Sequence, residues 1–122
     1  MSATCITESD DLFLIYIKGT LTFEDLKEAE NKGRDEIDRT QKVKLLILAE
    51  KFSGWGKEGD WGDLTFMYEH DPYIEKIAVV ADQKWQDQIL MFIGANRRQA
   101  SVRFFFSGEE EDARKWLKNE NK

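Results

Sequence analysis

Val43-Lys44-Leu45-Leu46-Ile47-Leu48 is the stretch whose reading decides the fold. It has strand length and is apolar almost throughout, the pattern of a strand buried on both faces under helices. A second run of this kind, Ile74-Glu75-Lys76-Ile77-Ala78-Val79-Val80-Ala81, follows 31 residues later, and Val102 to Phe106 makes a third. Between and around these runs the apolar spacing changes from two to three and four. Thr22-Phe23-Glu24-Asp25 has the form of a capping box and opens a helix to about Arg39, with Leu26, Ala29, Gly33 and Ile37 inward. Asp60 is placed to cap a second helix with Asp63 at its third position, and Trp61, Leu64, Met67 and Tyr68 share a face of it. Asp71-Pro72 stops it. A third helix is predicted from about Gln83 to Ala95. Ser107-Gly108-Glu109-Glu110 introduces a last one, with Ala113, Trp116 and Leu117 inward and four acidic residues, Glu109 to Asp112, in its first turn. At the N-terminal end, Thr4 to Glu8 and Leu12 to Lys18 read as two strands joined by Ser9-Asp10-Asp11, a hairpin. The order β-β-α-β-α-β-α-β-α predicts an α/β fold: a mixed, mostly parallel sheet of four or five strands with an antiparallel N-terminal hairpin and about four helices.

The 122 residues fit one domain, 1–122, and suffice for a core without staples. There is one proline, so a polyproline linker is excluded. Eighteen Lys and Arg against 24 Asp and Glu give a net charge of −6, which argues against a nucleic-acid partner. The one cysteine, Cys5, excludes an internal disulfide and a Cys-rich zinc site and fits a reducing compartment. Met1 to Ile6 shows no basic or apolar signal region, and the longest apolar run, Ile89 to Ile93, is too short to span a bilayer. The expected location is the cytoplasm, with peripheral membrane contact as an option considered below.

Few residues point to catalysis, and neither a metal nor an organic cofactor is expected. His70 beside Asp71 resembles a base and its orienter, but it lies near a predicted helix C-terminus, where a cation is favourable in any case. Gly54-Trp55-Gly56-Lys57 and Gly59 match neither the phosphate loop nor the dinucleotide fingerprint. The paired carboxylates Asp10-Asp11, Asp60 with Asp63, and Glu109 to Asp112 each have a turn or capping role.

Two features are harder to place in a plain core. Phe52, Trp55, Trp61, Phe66, Tyr68 and Tyr73 fall within 22 residues. Ile89-Leu90-Met91-Phe92-Ile93 is apolar all round on a helix that needs only one inner stripe. Lys84 precedes that helix and Arg97 and Arg98 follow it, the arrangement of an interfacial segment. The second and third helices packing on each other, a homodimer, and a ligand or membrane contact are the three ways to satisfy this surface.

Five strings taken together resemble the SpoIIAA-like family, the stage II sporulation AA-like proteins related to STAS domains. They are Phe52-Ser53-Gly54-Trp55; Trp61-Gly62-Asp63-Leu64-Thr65-Phe66 with His70; Lys76-Ile77-Ala78-Val79-Val80-Ala81-Asp82 with Trp85; Val102-Arg103-Phe104-Phe105; and Ala113-Arg114-Lys115-Trp116-Leu117. The resemblance implies a sheet with helices largely on one side and a non-enzymatic binding or regulatory module. It also implies a fold similar to CRAL-TRIO lipid carriers, with a pocket or membrane contact between the second and third helices. The residues expected there are Trp55, Trp61, Leu64, Met67, Trp85, Ile89, Leu90 and Phe92, with Lys84, Arg97 and Arg98 meeting an anionic head group of a small apolar or lipid-like ligand. The alternative is a STAS-type partner in a phosphorylation switch. The Asp-Ser motif of that switch is missing, and Ser53, in Ala49-Glu50-Lys51-Phe52-Ser53-Gly54, is the one serine near its position.

Overall fold

The structure, a computed structural model, describes residues 3–9, 11–40, 42–56, 73–93 and 100–118. Among these, five strands form one sheet in the order β1-β2-β3-β4-β5. They are β1 (Ala3–Ser9), β2 (Leu12–Leu21), β3 (Val43–Trp55), β4 (Ile74–Ala81) and β5 (Ser101–Phe106). β1 pairs antiparallel with β2 as the predicted hairpin, and every later pairing is parallel. The helices are α1 (Phe23–Thr40), α2 (Gln86–Ile93) and α3 (Glu110–Lys118), with a 3-10 turn at Gln83–Trp85. The predicted helix after Asp60, with Trp61, Leu64, Met67, Tyr68 and His70, lies outside the described residues, as do Arg97 and Arg98.

The cap of α1 is the one the sequence implies. Thr22 Oγ1 accepts from the Asp25 N–H at 3.2 Å, which meets one of the open donors at the start of α1. Before α2, Asp82 Oδ1 accepts from the Lys84 N–H at 3.0 Å, and the first turn is 3-10 rather than α. Phe106 to Glu109 make a turn with Gly108 at φ +94°, and the Glu109 carboxylate accepts from the Phe106 N–H at 2.7 Å.

Alternation along the central strands divides the core in two. Val43, Ala49, Ile77, Val79 and Ala81 face the side covered by α1 and α2, where Ile37, Ile89 and Ile93 meet them. Leu46, Ala78, Val80 and Phe105 face the opposite side, against Ala113 and Leu117 of α3. Helices therefore cover both faces, and the expectation that they lie largely on one side is corrected by α3. The cause is α3's own apolar stripe, whose Ala113 and Leu117 are almost completely buried. Lys76 is buried on this face too; its Nζ donates to the Trp116 carbonyl at 2.8 Å and lies 5.0 Å from the centre of that ring. Arg114 ties α3 to β1 by donating from Nη1 and Nη2 to the two oxygens of Glu8 and from Nε to Glu110 at 2.8 Å.

A second correction concerns β3. The sequence reading ends this strand at Leu48. The strand instead runs seven residues further, to Trp55. A bulge carries it: pairing with β2 moves from Lys18↔Glu50 to Thr20↔Gly54, so β3 uses two more residues than its neighbour. Lys51 at φ +52° and Gly54 at φ +105° absorb the extra length.

Candidate functional site

The bulge decides where the aromatic residues go. In an unbroken strand Phe52 and Trp55 would point to opposite faces. With Lys51 and Gly54 left-handed, both join the core under α1 and α2. Phe52 is buried and Trp55 is half-buried. Their rings meet edge to face with centroids 5.1 Å apart. Trp85, from the 3-10 turn before α2, closes the group at 4.9 Å from Phe52 and 6.1 Å from Trp55. Phe92 on α2 reaches Trp55 at 5.3 Å. Edge-to-face rings at these distances attract one another beyond their area burial. Gly54 is needed here for its conformation, φ +105°; a Cβ on it would stand 3.4 Å from Trp85 Cη2, an ordinary contact.

Beneath the aromatic group lies a cavity of about 70 Å³, walled by Ile15 and Ile17 of β2, Leu26 of α1, Ile47 of β3, Ile89 of α2 and the rings of Phe52, Trp55 and Phe92, among others. Its wall presents no polar surface. A second cavity of about 50 Å³ continues under α1, past Ile15 and Leu26, which line both, to Ile37, Val43 and Ile74. Among the described residues Glu30 is its one ionisable lining residue.

Of the expected site residues within the described part, Trp55, Ile89 and Phe92 line the larger cavity, and Trp85 packs on its aromatic lid. Leu90 is half-buried, and its neighbour Met91 is 73% exposed. The outward apolar side of α2 is thus real, while Ile89 and Ile93 form its inner stripe. Lys84 is exposed and lines neither cavity. Ser53 is exposed on β3, its Oγ donating to the Lys51 carbonyl at 3.4 Å; it sits in a strand, not at a helix start. Phe52, Ile15, Ile17 and Leu26 were not expected at the site. Their signal was present: Phe52 belongs to the aromatic run, and Phe13, Ile15 and Ile17 alternate along β2.

A different cleft opens on the α3 side, between Tyr16, Glu50 and the start of α3 at Glu110 and Glu111. The Tyr16 hydroxyl donates to Glu50, which pushes the phenol's pKa up. Cys5 is partly buried beside α1, and burial raises its thiol pKa, so it is not an activated nucleophile. Among the described residues no group of three or more His, Cys, Asp or Glu is placed to hold a metal ion. No helix among them is long and apolar enough to cross a membrane.

This fold, a five-stranded mixed sheet with helices on both faces, has the character of a regulatory or interaction module. The SpoIIAA-like family model matches residues 12–118, and the chain belongs to that family. Among solved structures it is similar to an uncharacterized protein with a SpoIIAA-like fold from Shewanella loihica PV-4. The TM-score is 0.71 at 19% identity, over 94% of this chain and 91% of that one, and the likeness establishes the fold. No curated protein matches the chain.

Proposed function

We infer that the chain is a non-enzymatic binding module that takes a small apolar or lipid-like ligand into the cavity between α1, α2 and the sheet. The observation that carries this reading is the cavity itself, lined by Phe52, Trp55 and Phe92 and with no polar surface on its wall. A well-packed interior has few voids larger than a water, and two in line beneath one helix are the shape of a ligand site. Its volume favours a compact guest or the end of an acyl chain, being below the roughly 150 Å³ that holds benzene in an engineered cavity. The exposed Met91 and half-buried Leu90 give the same end of the molecule an apolar outer surface, suited to a membrane from which such a ligand could be drawn.

The test uses fatty-acid and liposome binding by the wild type and by the double variant Leu90→Glu with Met91→Glu. Loss of liposome binding with an unchanged melting temperature is expected, because Met91 contributes little to the core. Undiminished binding would remove the outer face from the account. The phosphorylation switch has less support, since Ser53 lies within β3 and lacks the preceding Asp; a phosphopeptide at Ser53 would restore it.

A further inference from the structure

The two edges of the sheet are finished differently. Among the described residues β1 and β5 are the outer strands. An open edge invites another strand, and proteins blunt it with bulges and charge. β1 has both: its register with β2 shifts between Thr7 and Ser9, and Glu8 there is held by Arg114. β5 reads Ser101-Val102-Arg103-Phe104-Phe105-Phe106 and pairs with β4 without a shift in register. It has no proline and no lysine, and Phe106 is 39% exposed.

Successive residues of a strand turn their N–H and C=O groups to alternate sides. The Ser107 N–H donates to the Ala81 carbonyl of β4 at 3.0 Å, so the backbone groups of Arg103 and Phe105 face β4 and those of Val102, Phe104 and Phe106 face outward. Phe106 is closed by the turn that follows it. Its N–H donates to the Glu109 carboxylate at 2.7 Å, and its carbonyl accepts from the Glu109 N–H at 2.9 Å. Val102 and Phe104 are left with two outward donors and two outward acceptors, which no described strand meets. Such a row of backbone groups is the docking pattern for an extended peptide.

The side chain between them selects the partner. Arg103 is exposed, and its guanidinium lies 5.0 Å from the centre of the Phe105 ring. Among the described residues it makes no ion pair. When an antiparallel strand bonds to Val102 and Phe104, the residue opposite Arg103 sits in a non-hydrogen-bonded pair, where Cα atoms approach to about 4.5 Å. An opposite charge there stabilises the pairing and a like charge destabilises it. A second copy of β5 fits poorly for this reason. The two-fold register that uses all four groups sets Arg103 against Arg103, and the register centred on Phe104 pairs Val102 with the closed Phe106.

We propose that the outer edge of β5 receives an extended segment of a partner protein as a sixth, antiparallel strand. The segment carries a carboxylate side chain opposite Arg103 and apolar side chains opposite Val102 and Phe104. Those apolar side chains fall on the face where Phe104 and Phe106 pack edge to face, with centroids 6.0 Å apart.

The experiment is an amide NMR titration of the full chain with a capped peptide of threonine, valine, glutamate, valine and threonine, in that order, at millimolar concentration. The amide protons of Val102 and Phe104 should move downfield, and those of Arg103 and Phe105, which face β4, should move less. The same peptide with lysine in place of glutamate should bind about fivefold more weakly. In Arg103→Gln, an exposed change, that preference should disappear. Val102→Pro removes an outward donor and leaves the ladder with β4 intact, so it should abolish binding. Should the proline variant fail to fold, the two peptides on the wild type and on Arg103→Gln decide the matter. Unmoved Val102 and Phe104 amides, or equal affinity of the wild type for both peptides, would overturn the proposal. Shifts at Val102 and Phe104 that grow with protein concentration in the absence of peptide would also overturn it, by making a second copy the occupant.

Discussion

The two faces of the sheet use the same strands and bury them differently. On the α3 side, Leu46, Ala78, Ala113 and Leu117 are all at 1% exposure or less, and Lys76 seals the helix end through the Trp116 carbonyl. On the α1 and α2 side, equally apolar residues leave two cavities and two unmet indole donors. Adjacent residues of β3 and β4 therefore serve a solid core and a hollow one. The difference lies in what the helices bring. α3 offers a small Ala113 and a Leu117 that let it sit close to the strands. The α1 and α2 side must accommodate four large rings that pack mainly on one another, so they roof the space above Ile15 and Ile47 without filling it.

The largest test of this contrast is Leu46→Ala. At a fully buried position in the solid core it should cost about 3–5 kcal/mol, read from urea unfolding. A cost below about 2 kcal/mol would mean that this face is not tightly packed. The sharpest test compares one chemical change on both sides. Ala78→Val adds volume where there is none and should destabilise by about 1–3 kcal/mol. Ala49→Val adds the same volume into the cavity wall and should stabilise by about 0.5–1 kcal/mol while weakening ligand binding. Equal signs for the two would erase the distinction between the faces.

The smallest effect is electrostatic and belongs to the solid side. The hydrogen bond from Arg114 holds the Glu8 carboxyl below its ordinary value of 4.5. The unfolded chain then takes up that proton first, so the pair stabilises the fold above about pH 4.5, and its contribution fades as pH falls through the folded value. Both side chains are partly exposed, so the contribution at neutral pH is below about 1 kcal/mol. Glu8→Gln should reproduce this loss at pH 7 and change nothing at a pH low enough to protonate the wild-type carboxyl.

The sheet was readable in the sequence because its strands are continuous apolar runs, and Val43–Leu48 and Ile74–Ala81 could be little else. Helix α1 was readable from its Thr22 cap and the spacing of Leu26, Ala29, Gly33 and Ile37. What period-two reasoning could not show was the bulge at Lys51. A lysine in the left-handed region carries no signature in composition, and Gly54 beside Trp55 reads as a loop. The site was half readable for the same reason. Trp55, Trp85, Ile89 and Phe92 stood out as aromatic and apolar excess. The walls from β2 and α1, Ile15, Ile17 and Leu26, looked like ordinary core, because a cavity is a failure of side chains to meet and leaves no mark in a pattern of residue types.

We propose that the α1 and α2 side is hollow and accepts an apolar guest. Xenon tests it most directly, since xenon enters dry apolar cavities and needs no specific chemistry. With labelled methyl groups and dissolved xenon, shifts should be confined to residues such as Ile15, Leu21, Leu26, Ile47, Ile89 and Ile93, while Leu14, Leu46 and Leu117 stay unmoved. Shifts absent altogether, or spread evenly over both faces, would contradict it.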